Sequence, residues 1–156
     1  MGRLFTSCFQ AVTVSAAQDL FALHASSTVP LLIHSCVIGQ SSDFGDAQDE
    51  NLRIRIRRGM TSNGTGGTTP AMNPVDAREA TAATATCRAN DTTAASGGTI
   101  VEMWEETFNV RAGYVWLPTP AMQLTCAVST RIAFNLPAAP ADALTMSGTI
   151  VWEEAF

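Results

Sequence analysis

The stretch Asn51-Leu52-Arg53-Ile54-Arg55-Ile56-Arg57-Arg58 decides the fold. Leu52, Ile54 and Ile56 alternate with Arg53, Arg55 and Arg57. Successive side chains of a strand point to opposite faces, so this period of two sends the aliphatic residues to a core and the three arginines to solvent or a partner. A helix would scatter both sets around its surface. Short apolar alternations of the same kind, bounded by Gly, Pro, Asn, Asp and Ser, recur along the whole chain. They predict an all-β protein, a sandwich or barrel with about eight to ten strands.

Outward from that stretch, residues 4–14 read as a strand with Phe5 and Phe9 on one face and Val12 and Val14 on the other. Residues 19–25 fit either a short strand or one helical turn capped by Ser15 and Gln18. Residues 29–38 are apolar on both faces, as in a central strand. Further strands are expected at 81–89, at 99–108 with Met103, Trp104 and Phe108, and at 114–117. The last of these is stopped by Pro118-Thr119-Pro120, which lacks ladder donors. Leu124, Cys126 and Val128 alternate, as do Ile132, Phe134 and Leu136, and residues 144–154 form a final strand. The connections are an acidic loop at 39–50, a Gly/Thr/Pro loop at 60–74, a turn at 90–98 and a linker at 137–142. The 60–74 loop is long enough to be functional or mobile. Thr69-Pro70-Ala71-Met72 recurs as Thr119-Pro120-Ala121-Met122, and SGGTIVEMWEE from Ser96 recurs as SGTIVWEE from Ser147, a hint of two related halves.

Composition limits what such a fold does. The chain has 156 residues, 46% of them hydrophobic, with a net charge of −5. That length predicts one domain over residues 1–156, with a core that needs no disulfide or metal. All nine basic residues are arginine, which removes a P-loop lysine, a Schiff-base lysine and a Ser/Lys dyad. The acidic balance disfavours nucleic acid, whose binding depends on neutralised phosphates. No apolar run is long enough to span a bilayer as a helix, so no membrane partner is expected. The first residues lack the apolar core of a secretory signal, although Met1-Gly2 with Thr6 fits the myristoylation pattern. Cys8, Cys36, Cys87 and Cys126 form no C-x-x-C pair, and all four are expected to be reduced thiols, protected until unfolding.

Constellations with chemical meaning are few. His34 and Cys36, two apart on one strand, share a face in this reading, and His24 is the residue that would join them in a metal site; buried strand residues are the simpler account. No G-x-S-x-G elbow accompanies the histidines. The glycines at 64–67 lack a following lysine and helix, so they make a turn rather than a phosphate loop. Glu102, Glu105, Glu106, Glu153 and Glu154 lie beside tryptophans, as in a glycosidase or sugar-binding cleft. Cross-strand pairing of the glutamates with the arginine stripe accounts for both sets more simply. Asn63-Gly64-Thr65 and Asn90-Asp91-Thr92 are sequons of the kind a Thr-rich chain contains by chance. No catalytic, metal or cofactor residue is assigned.

The runs AAQDLFALHA (16–25), IGQSSDFGDAQDENLRIRIRRG (38–59), FNVRAGYVWLPTP (108–120) and LPAAPADALTMSGTIVWEE (136–154) together resemble a family of small virion structural proteins of tailed bacteriophages and prophages. The resemblance implies an antiparallel β-sandwich of jelly-roll type, or a related β-sandwich, that decorates or cements the capsid shell without enzyme activity. It implies the major capsid protein as partner, homo-oligomerisation, and a place on the virion surface after synthesis in the bacterial cytoplasm. A head-fibre, neck or tail component is the alternative, and a carbohydrate-binding β-sandwich a further one. The expected partner interface comprises Arg53, Arg55 and Arg57 together with Trp152 and Phe156 at the aromatic end of the chain.

Overall fold

A computed structural model describes residues 2–41 and 49–155. Eleven strands follow one another: β1 (Arg3–Val14), β2 (Gln18–His24), β3 (Leu31–Gln40), β4 (Asn51–Met60), β5 (Asn73–Pro74), β6 (Thr86–Asp91), β7 (Val101–Asn109), β8 (Tyr114–Trp116), β9 (Leu124–Cys126), β10 (Arg131–Leu136) and β11 (Leu144–Glu154). A 3-10 turn, Pro120–Met122, precedes β9. The count passes the expected ten because β5 is only two residues long. The helical turn offered as one reading of 19–25 is not formed; β2 is a strand buried on both faces.

The strands form two antiparallel sheets. One runs β5-β1-β11-β3-β8 with β9 also on β3, and the other runs β6-β2-β10-β4-β7. Four nested pairs, β1 with β11, β2 with β10, β3 with β8 and β4 with β7, alternate between the sheets. This is a ribbon rolled over on itself, the jelly-roll arrangement. Between the sheets the aliphatic stripes meet. Leu52, Ile54 and Ile56 are buried as the alternation requires, and Phe9 packs on Phe21, and Trp116 on Phe134, across the sandwich at centroid distances of 5.0 and 5.6 Å.

The long connection from β4 to β7 is not a free loop. Thr61 and Ser62 bond the backbone of Ser96, Thr65 bonds Thr93, and Thr68 bonds Ala89, so residues 61–68 run against 89–96. The same connection lays β5 against β1 and β6 against β2, closing one lateral edge of each sheet. Ala95 reaches the outer side of the five-stranded sheet, where it forms a second small core with Ala22, Met60 and Ala133.

Bulges explain where the alternation misleads. In β1 the register shifts between Phe9 and Val12, with Ala11 at a positive φ of 49°. The extra residue turns Val14 back to the face of Phe5 and Phe9, against the expected opposite face. Gly59, at φ 92°, makes a similar step at the end of β4, where a Cβ would collide with the Thr99 carbonyl. The expectation that β3 is apolar on both faces holds on one: Ile33, Cys36 and Ile38 are buried while Val37 is exposed. The two repeats are not equivalent either. The second lies in the buried β11 at the centre of its sheet, the first in β7 at a sheet edge with Val101 and Trp104 exposed. Most of the acidic loop at 39–50 lies outside the described residues.

The register of β4 makes a direct prediction. Ile54→Asp buries a charge without a partner and should lower stability several times more than Arg53→Gln, which should stay within ~1 kcal/mol. Urea unfolding of the two variants measures the contrast.

Candidate functional site

Because β4 lies between β10 and β7, its arginines meet the glutamates of β7 across the ladder. Arg53 Nε lies 3.0 Å from Glu105 Oε1 and Arg55 Nη1 lies 3.4 Å from Glu102 Oε1. Such partly exposed pairs contribute ~0.2–1 kcal/mol each. The carboxylates beside Trp104 are therefore largely engaged with arginine, and Glu106 accepts the indole N–H of Trp104 at 3.1 Å.

Arg57 corrects the expected stripe. It does face away from the main core, but the segment carrying Ala95 covers it, leaving it buried with a 3.4 Å pair to Asp19 Oδ1. Asp19 also accepts from the Ala95 N–H at 2.7 Å and from Asn135 Nδ2 at 2.7 Å. Burial raises the Asp19 carboxyl above the ordinary carboxylate range, against these three donors and with a further push from Asp91. Trp152 is also not a surface residue. It is fully buried and stacks on Phe5 at 6.0 Å, because β11 sits inside its sheet and presents that position to the core. Phe156 lies outside the described residues.

The glutamates at the end of β11 are structural. Glu154 is fully buried, takes Arg3 at 2.6 Å, and accepts from the backbone of Thr84 and Ala85. Glu153 Oε2 lies 2.9 Å from His34 Nε2, and Gln123 approaches the other ring nitrogen at 3.0 Å. His34 and Cys36 do not share a face. A register shift in the pairing of β3 with β11, between Val151 and Trp152, turns Cys36 to the core and leaves His34 with Glu153. His24 is in the other sheet, opposite Arg131.

A surface not expected from the sequence is the outer face of the six-stranded sheet. Cys8, Thr149, Val37 and Val115 are successive cross-strand partners over β1, β11, β3 and β8, and all four are exposed. The neighbouring row is Thr6, Val151 and Ser35. Neither row holds a charge. Its signal was present in the chain, since 4–14, 35–40 and 144–152 contain no Asp, Glu or Arg. The outer face of the other sheet carries the Arg–Glu ladder and its covering segment.

No family model matches the chain, and no curated protein does. Among solved structures it is similar to a chain of infectious bursal disease virus, Gx strain, at 12% identity and a TM-score of 0.24, and to a mutant VP2 protein of the same virus in T=1 particles, at 13% and 0.25. The matches cover 97% and 98% of this chain and 41% and 40% of those chains, so it spans about two fifths of their length. At those scores the likeness is too slight to identify a relative.

Three measurable consequences follow from the geometry. Arg57→Gln leaves Asp19 buried without its cation and should cost ~3–5 kcal/mol, unlike the exposed arginines of the same strand. The Asp19 carboxyl, raised in the folded state, binds its proton before the unfolded chain does. Stability from this group is therefore complete at acid pH and declines as pH rises through the folded pKa. Compared with Asp19→Asn, wild type should gain relative stability as pH is lowered from neutrality, as read by urea unfolding across pH. The thiols divide as well. Cys8 is exposed, against the expectation that all four are protected, while burial raises Cys126, pushes Cys87 up to about 12 and Cys36 well above its ordinary value. Native alkylation followed by mass spectrometry should mark Cys8 alone, with the other three reacting after denaturation.

Proposed function

We propose that this chain is a non-enzymatic structural protein of a tailed-bacteriophage virion, a decoration or cement protein that binds the outside of the head shell through the bare face of its six-stranded sheet. The observation that carries this is the uncharged row Cys8, Thr149, Val37 and Val115. A sheet face meant only for water ordinarily carries charged or strongly polar side chains, and a contiguous face without them marks a contact surface. The sequence resemblance to virion structural proteins supplies the setting. The row crosses three strand spacings of ~4.8 Å, roughly 14 Å, so the face offers well under the ~800 Å² per partner of a standard stable complex. A contact that small holds when it is repeated over a symmetric lattice and copies are linked to one another, which is how a homo-oligomer on a shell works.

Quantitative mass spectrometry of purified virions tests the assignment. Hundreds of copies on the shell are expected; about a dozen would move the protein to the neck or tail. Val37→Asp combined with Val115→Asp, both at exposed positions, should leave the circular dichroism spectrum unchanged and reduce occupancy on depleted particles at least about tenfold. Unchanged occupancy would remove this face from the contact.

A further inference from the structure

The two lateral sides of the sandwich are treated differently by the chain. On one, the connection from β4 to β7 adds β5 beside β1 and β6 beside β2. On the other, β7 ends one sheet and β8 and β9, both on β3, end the other, and no strand among the described residues pairs with their free edges. Open edges of this length are usually shortened, charged or covered, because their unpaired N–H and C=O groups template another strand.

β7 is nine residues long, while the corresponding edge of the six-stranded sheet is broken into two strands of three residues, β8 and β9. Trp104 and Glu106 pair in register with Ile56 and Ile54 and point to the same inner side. The two isoleucines are fully buried, whereas Trp104 is 38% exposed. Facing it across the gap, Leu117 is 75% and Met122 55% exposed. These residues, with Glu106, Val115 and Pro118, line a cleft of about 250 Å³ at the mouth between the sheets. The backbone is aligned as well. The Val110 N–H donates to the Glu50 carbonyl, which makes this a hydrogen-bonded pair. Alternation along the ladder then gives the same status to residues 108, 106 and 104, leaving the N–H and C=O of Thr107 and Glu105 directed to the open edge, while the Asn109 carbonyl is taken by the N–H groups of Ala112 and Gly113.

We propose that this mouth receives an extended segment of a partner protein, added antiparallel to β7, with arginine or lysine opposite Glu106 and an aliphatic side chain two residues later opposite Trp104. Charge decides the occupant. Glu102 and Glu105 have arginine partners, but no cation among the described residues pairs with Glu106. A second copy is a poor occupant: β7 carries three glutamates and no basic residue, so antiparallel pairing with itself sets carboxylates against carboxylates. A basic-x-aliphatic strand satisfies the backbone edge, fills the apolar cleft and neutralises Glu106 together. This goes beyond the virion assignment, since it needs only the open edge and the cleft, which shares Val115 alone with the shell-facing row.

The probe is a nonapeptide of alternating threonine and valine with one arginine at the fourth position, compared with the same peptide carrying glutamate there. Hydrogen exchange should show the arginine peptide protecting the amides of Glu105 and Thr107, and titration should give it at least about tenfold tighter binding than the glutamate peptide. Glu106→Arg should reverse that preference, and Thr107→Pro, which removes an outward N–H while sparing the bonds to β4, should abolish binding with the thermal transition retained. Absence of protection at those two amides, or equal binding of the two peptides, overturns the proposal. So does dimerisation of the free protein that Thr107→Pro dissolves, which assigns the edge to a second copy. Glycan binding lost with Trp104→Ala, in the absence of peptide binding, makes the mouth a sugar subsite instead.

Discussion

Everything in this sandwich depends on the pairing of β1 with β11. The first described strand and the last lie side by side over ten residue pairs, from Arg3 opposite Glu154 to Val14 opposite Leu144. β11 in turn carries β3 on its other side, so half of the six-stranded sheet has no neighbour until the final strand inserts. The closure is reinforced where solvent would otherwise enter. Trp152 is stacked on Phe5, and the fully buried Glu154 is held by Arg3 and by backbone N–H groups of 84–85. A roll assembled from pairs so distant in sequence pays loop-closure entropy before any contact rewards it, which places it among slow-folding topologies.

The sequence read well where one face of a strand is uniformly buried. Leu52, Ile54 and Ile56 point inward as their spacing demands, β11 occupies 144–154, and the Arg–Glu ladder joins the two strands from which it was inferred. It misled where a single residue is inserted. At Ala11 and Gly59, and in the β3–β11 register near His34, a bulge changes which side follows, and the residue pattern alone carries no mark of it beyond the glycine. Arg57 was misplaced for a different reason. Its direction was right, but the cover over it comes from the segment carrying Ala95, and such a non-local lid leaves no trace in the local alternation.

The two sheets consequently present opposite characters. The outer face of the five-stranded sheet is dressed by its own chain, with a polar network around Asp19 and an apolar patch around Ala95. The outer face of the six-stranded sheet is left bare, and so is the side where β7 and β8 end. The long β4–β7 connection accounts for this asymmetry, since it spends its length on the dressed face and on the edges of β1 and β2. Its length is a structural investment rather than slack, which is why a stretch so rich in glycine and threonine is held by backbone bonds from Thr61 to Thr68.

The antiparallel pairing of β1 with β11 also has a mechanical meaning. Arg3 and Glu154 are opposite one another, so the two strands begin and end at the same corner of the sheet. Antiparallel ladder bonds run perpendicular to the strands. A force that separates residues 3 and 154 therefore loads those bonds one pair at a time, as a zipper opens, and the strands peel at low tension. Load spread across the face of the sheet strains many bonds at once. A sheet of this kind resists being pressed or stretched where it lies flat against a support, and yields when it is pulled by its two ends.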